Sequence, residues 1–100
     1  MSSYYAVIFT SIQKEDISGY GSMAKRMEEL ARQQPGFLDL EHAREEVGIT
    51  ISYWKDLQSI KNWKENAEHQ FAQIKGRSEW YKYYKIRICH VEREYEFGEI

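Results

Sequence analysis

One hundred residues with a net charge of −2 and a sequence pI near 5.9 make a single folding unit without a global positive field, so neither nucleic acid nor an anionic membrane is an expected partner. The hydrophobic (42%) and charged (30%) fractions are those of an ordinary soluble globular domain, but 15% aromatic, with eight Tyr and three Trp, is high and suits pocket walls and subunit interfaces. The lone Cys89 excludes an intramolecular disulfide, and "MSSYYAVIFT" carries neither a basic leader nor a long apolar run, so a cytoplasmic protein without a membrane span is expected.

The run "YYAVIFTSI" (Tyr4 to Ile12) is β-branched and aromatic on both alternating sets, which predicts a strand covered on two faces. After the polar stretch Gln13 to Ser18, the residues Tyr20, Met23, Met27, Leu30 and Ala31 recur at three- and four-residue steps and predict an amphipathic helix ending before Pro35-Gly36. Its start, "SGYGSM", reads as a helix capped by Ser18 or Ser22 rather than a phosphate loop. "GFLDLEHARE" and "GITISYW" predict a hairpin, with Gly48 available for a positive φ in the turn from Glu45. Asp56 is a fair N-cap for a second helix with Ile60, Trp63, Ala67, Phe71 and Ile74 on one face. The alternation of "YYKIRICHVEREYEF", from Tyr83 to Phe97, predicts a long fourth strand.

The order β-α-β-β-α-β is the ferredoxin-like α+β arrangement, an antiparallel sheet with both helices on one face, spanning residues 1–100 as one domain. Strands one and four are nevertheless apolar on both faces, and strand four is about twice the usual length. A second copy covering the bare face and pairing with the overhang "EREYEF" is therefore expected, giving a homodimer.

From "QPGFLDLEHAREEVGITISYW" through the helix bearing "NW", a histidine, and "WY" leading into the last strand, the chain resembles the antibiotic biosynthesis monooxygenase family over essentially its whole length. The resemblance implies a dimeric α/β barrel in which two sheets face one another, with a pocket between sheet and helices in each subunit. Some members oxidise phenolic polycycles with O₂ and neither metal nor flavin, and another branch degrades haem. The haem branch uses an Asn on the first strand, a helical Trp and a His ten residues later. Here the matching positions hold Ile8, Trp63 and Gln73, and the chain's asparagines are Asn62 and Asn66, so no haem chemistry and no cofactor is expected.

His69 falls six residues after Trp63. On one continuous helix it lies about 180° from Ile60 and faces solvent. If the helix breaks near Asn66, a second stripe of His69, Ala72, Gln73, Gly76 and Trp80 turns inward, with Asn66 as its cap and Gly76 allowing close approach to the sheet. The resemblance favours the break. An inward His69 within reach of Trp80 or a strand residue is either a hydrogen-bonded part of the wall or a general base for a phenol or enol. Trp54, Trp63, Trp80 and Tyr84 are the candidate walls for a flat aromatic substrate, with Arg77 or Arg87 available to a developing oxyanion.

His42, His69 and His90 lie on three elements without metal-ligand spacing, so no metal is expected. "GRSEWYKYYKIR" interleaves basic and aromatic residues, but the acidic "EREYE" follows at once, against nucleic-acid binding. Two functional readings follow. One is a cofactor-independent monooxygenase acting on a small flat phenolic substrate; the other is a non-catalytic dimeric module that binds a small ligand or serves a stress role.

Overall fold

A computed structural model describes residues 3–100. Its elements are β1 (Tyr4–Gln13), α1 (Tyr20–Arg32), β2 (Phe37–Arg44), β3 (Gly48–Trp54), α2 (Leu57–Glu65), α3 (Ala67–Lys75), a π-helical turn (Gly76–Trp80) and β4 (Tyr81–Val91). The four strands form one antiparallel sheet in the order β2-β3-β1-β4, the ferredoxin-like order. No helix among the described residues is long and apolar enough to cross a membrane.

Register and alternation divide the sheet into two faces. Tyr5, Val7, Phe9 and Ser11 pair with Trp54, Ser52, Thr50 and Gly48 on one side and with His90, Ile88, Ile86 and Tyr84 on the other. This set faces the helices: Trp54 stacks on Trp63 of α2, and Phe9 meets Tyr81, which meets Tyr20 of α1. The opposite face carries Tyr4, Ala6, Ile8, Ile12, Ile49, Ile51, Tyr53 and Tyr83, and among the described residues no helix packs on it. Ile49 and Tyr83 remain 43% and 47% exposed there. The buried core lies on the helix side, where Leu30 and Ala31 of α1, Ile60 of α2, Trp54 and Trp80 are sealed from water.

Local chemistry departs from the sequence reading at three places. The start of α1 is not capped by Ser18 or Ser22. Gly19 takes the left-handed conformation at φ 84°, Ser18 turns back to Asp16, and the Ser22 hydroxyl donates to the Gly19 carbonyl. Gly48 does not use a positive φ; it is a strand residue, and a side chain there would displace the guanidinium of Arg44, which donates to buried Ser11. Besides Gly19, a positive φ occurs at Gly36 (85°), in the turn between α1 and β2, where a Cβ would overlap the Ser59 side chain. Third, β4 stops at Val91 rather than Phe97. Val91 pairs with Tyr4, the first residue of β1, so "EREYEF" has no neighbouring strand within the chain. Tyr95 and Phe97 stand fully in solvent, and the Tyr4 hydroxyl donates to Glu94.

Candidate functional site

The helix does break at Asn66. Its ψ of 130° leaves the helical region, and its side-chain oxygen accepts from the backbone N–H of Glu68 and His69 at 3.0 and 3.2 Å, capping α3 as Asp56 caps α2. A break leaves the last carbonyls of α2 without helical partners. The carbonyl of Trp63 is taken by the Asn66 N–H at 3.1 Å and by His69 Nδ1 at 3.0 Å, and that of Lys64 by the Gln73 carboxamide at 3.4 Å. The same change of phase turns Ala67, Phe71 and Ile74 outward, with Phe71 and Ile74 57% and 58% exposed. It turns His69, Ala72, Gln73 and Gly76 inward. A side chain on Gly76 would press on the Tyr81 ring.

His69 lies flat on Trp63, with ring centres 4.1 Å apart and planes 10° from parallel. Trp63 in turn stacks on Trp54 at 6.1 Å, and Trp54 donates to Ser52 at 2.9 Å and meets the edge of Phe37. The result is a column of three aromatic rings rooted in the sheet. A carbonyl only accepts, so the 3.0 Å contact to Trp63 assigns the Nδ1–H tautomer and leaves the lone pair on Nε2. The Gln73 nitrogen, 3.3 Å from Nδ1, would need the opposite tautomer to donate there, and the shorter contact to the carbonyl prevails. Nε2 has no protein partner and is not among the fully buried unpaired nitrogens, so its lone pair is free. Burial lowers the His69 pKa below its ordinary 6.5, and the bond to the Trp63 carbonyl offsets this only in part. At neutral pH the imidazole is uncharged and basic at Nε2.

The helices do not close over the β4 edge of the sheet. α3 packs against α1, α2 and the π turn, while Ile86 and Ile88 of β4, on the helix-facing side, are 45% and 53% exposed. The helix-facing surface of β4 is therefore uncovered at these two residues, an open cleft along the edge of the sheet. Tyr84 stacks on Phe9 at 5.3 Å and accepts from Arg77 at 3.2 Å, which ties the π turn to the strand at one end of the cleft.

Of the residues singled out from sequence, His69, Trp63 and Trp54 form one stack, and Arg77 and Tyr84 form a second contact. Trp80 is elsewhere. It is buried, donates to the Ser18 carbonyl at 3.0 Å and stands edge-on to Tyr20 beneath the start of α1, and His69's partners are Trp63 and Gln73 instead. Arg87 pairs with Ile8 and projects to the face away from the helices, so it does not join the set. Sequence reasoning missed Ile86 and Ile88 as walls and Gln73 as the neighbour of Nδ1. The four-residue step from His69 to Gln73 was the available signal. Among the described residues no three His, Cys, Asp or Glu side chains converge as they would on a metal ion.

The sequence profile of the antibiotic biosynthesis monooxygenase family matches residues 3–74. The uncharacterised protein YqjZ of Bacillus subtilis is 49% identical over 98 residues, covering 96% of this chain and 86% of its own length. The jasmonate monooxygenase of Pyricularia oryzae is 28% identical over 96% of this chain, which spans only 47% of that longer protein. Among solved structures, the cofactor-independent oxygenase SnoaB of Streptomyces nogalater superimposes with a TM-score of 0.75 at 13% identity, covering 94% of this chain and 97% of that one. A conserved protein from Methanosarcina mazei gives 0.76 at 18% identity, covering 88% and 91%. At these identities the structural likeness concerns the fold.

Proposed function

The chain belongs to the antibiotic biosynthesis monooxygenase family, and from that premise we propose that it is a cofactor-independent monooxygenase in which His69 is the general base for a small, flat, phenolic or enolic substrate. The observation that carries this reading is the imidazole itself: Nδ1 is held by a backbone carbonyl, its pKa is depressed by burial, and Nε2 is unpartnered with its lone pair free. Nε2 takes the acidic proton, and the resulting carbanion-like anion gives one electron to O₂. The radical pair combines to a carbon-bound peroxide, protonation and loss of water follow, and one oxygen atom remains in the product as a carbonyl. Arg77, held by Tyr84, is the proposed partner of the developing oxyanion, and Trp63 with the cleft residues Ile86 and Ile88 is the proposed bed for the flat ring.

The bare sheet face supports a homodimer as part of the same proposal. Ile8, Ile12, Ile49 and Ile51 side by side with Tyr4, Tyr53 and Tyr83 form an apolar surface of the kind two sheets bury between them. One observation favours the second reading, a module that binds a small ligand without transforming it: Trp54 and Trp80 already fill the interior between sheet and helices, so a ligand is confined to the open cleft.

Oxygen-electrode assays over a panel of naphthols and anthrones, with ¹⁸O₂ labelling of product, test the assignment. Uptake of O₂ with one labelled oxygen in the product, abolished in His69→Ala with the fold retained, is the expected outcome. Ligand binding at the Trp signal without O₂ uptake by any member of the panel would replace the enzyme with the binding module.

A further inference from the structure

A second concavity, of about 580 Å³, runs between α2 and α3 and is walled by those helices and the π turn, with no strand residue in its lining. That volume is the size of a small-molecule site. Its charge is lopsided: Lys61 and Lys64 on α2 and Arg77 on the turn share the groove with a single carboxylate, Glu65. Elsewhere on the helical surface most cations are matched, Arg26 with Glu68 at 2.9 Å, Arg32 with Glu28 at 3.2 Å and Lys75 with Glu79 at 3.2 Å, while Lys25 of α1 stands alone among the described residues. Among the described residues no carboxylate oxygen lies within 4.0 Å of the Lys61, Lys64 or Arg77 nitrogens. The carboxamides of Gln70 and Gln73 add N–H donors to the wall, and Ile74, 58% exposed, adds an apolar patch.

An acidic chain that gathers three unpaired cations, two amide donors and one bare aliphatic side chain in one hollow presents the complement of an organic anion. We propose that this groove binds a small organic anion, its carboxylate or phosphate head among Lys61, Lys64 and Arg77 and its apolar body on Ile74. Lys61, Lys64 and Ile74 take no part in the proposed chemistry and Arg77 is shared with it; because the test reads binding alone, the groove stands whether or not His69 is catalytic. Gln73 connects the two, because its side-chain nitrogen lies 3.4 Å from the Lys64 carbonyl and 3.3 Å from His69 Nδ1. An anion that accepts from Gln73 draws the carboxamide off the Lys64 carbonyl and away from the edge of the imidazole, so occupancy of the groove registers at the ring.

The test uses the whole chain, with 2-naphthoate, 2-naphthyl phosphate and neutral 2-naphthylmethanol as probes, followed by NMR of the backbone amides and of the histidine ring. Expected is saturable binding of an anionic probe that shifts amides between residues 61 and 77 and moves the His69 ring signals, weakens with added salt, and is not reproduced by the alcohol. Response to the naphthoate alone assigns a carboxylate site, to the phosphate alone a phosphate site, and to both an unselective anion site; each supports the proposal. Lys61→Gln with Lys64→Gln changes exposed residues, so the melting temperature should hold while affinity falls about five- to tenfold. The proposal is overturned if neither anion binds at millimolar concentration, if the alcohol binds as well, if the shifts map to β4 and the cleft, or if the double variant binds with unchanged affinity.

Discussion

Replacing His69 by alanine removes two interactions whose sizes follow from the geometry. The Nδ1–H bond to the Trp63 carbonyl, 3.0 Å and partly shielded from water, contributes a net of about 1 kcal/mol. The stack on Trp63, 4.1 Å between near-parallel rings, adds about 0.5–1.5 kcal/mol. His69→Ala should therefore destabilise the fold by about 2 kcal/mol, a fall in melting temperature of about 10 °C for a domain of this size. His69→Phe keeps a ring on Trp63 without the polar bond and should fall midway, about 1 kcal/mol below wild type. Urea titrations read by tryptophan fluorescence at one fixed protein concentration separate the three proteins without contribution from any change in association. Equal stability of wild type and His69→Ala would refute the reasoning, because an imidazole engaged with both the ring and the carbonyl cannot leave without cost. Equal stability of the alanine and phenylalanine variants would refute the stacking part alone.

Because the His69 pKa is lower folded than unfolded, the unfolded chain binds its proton first as pH falls; stability should be level above about 6.5, decline below it, and level off once the folded pKa is passed. NMR titration of the His69 ring with a midpoint above 6.5 would contradict this. Gly36→Ala combines a left-handed backbone with overlap on Ser59 and should cost at least about 2 kcal/mol in chemical denaturation; a near-neutral result would mean that α2 sits farther from that turn. Truncation after Glu92 removes residues 93–100, all of the unpaired "EREYEF" but its first residue, and should lower dimer affinity in light scattering while the monomer keeps its sheet, since β4 already ends at Val91. An intact dimer after truncation would place the interface on the sheet face alone.

Element order, the Asp56 cap and the break at Asn66 were legible because each depends on neighbours in sequence: a period, a capping side chain, a shift of phase between Ile60-Trp63 and His69-Gln73. The phase shift left both a straight helix with His69 in solvent and a broken one with His69 inward, and the family resemblance favoured the inward turn. What escaped depends on partners far along the chain. The end of β4 is decided by where β1 begins, and the role of Gly48 by the guanidinium of Arg44 across the hairpin. Trp80 shares the inward stripe with His69, yet the π turn carries it past the cleft to the start of α1, a local change in winding that the helical period does not report. Arg87 was excludable without coordinates. It lies three residues from Tyr84 on one strand, so the two cannot share a face.

The column Trp54-Trp63-His69 also makes the site optically self-reporting. Two indoles 6.1 Å apart and 26° from parallel are close enough for their excited states to mix, which gives the near-ultraviolet circular dichroism a couplet tied to the seating of α2 on the sheet. At the other end the imidazole lies in contact with one of those indoles, and a protonated imidazole quenches indole emission where a neutral one does so far less. The protonation state of His69 is thus written into the intrinsic fluorescence of Trp63, while Trp80, outside the column and bonded to Ser18, supplies a steady background. A pH ramp followed by emission alone reads the charge on the residue proposed as the base, in the unlabelled protein.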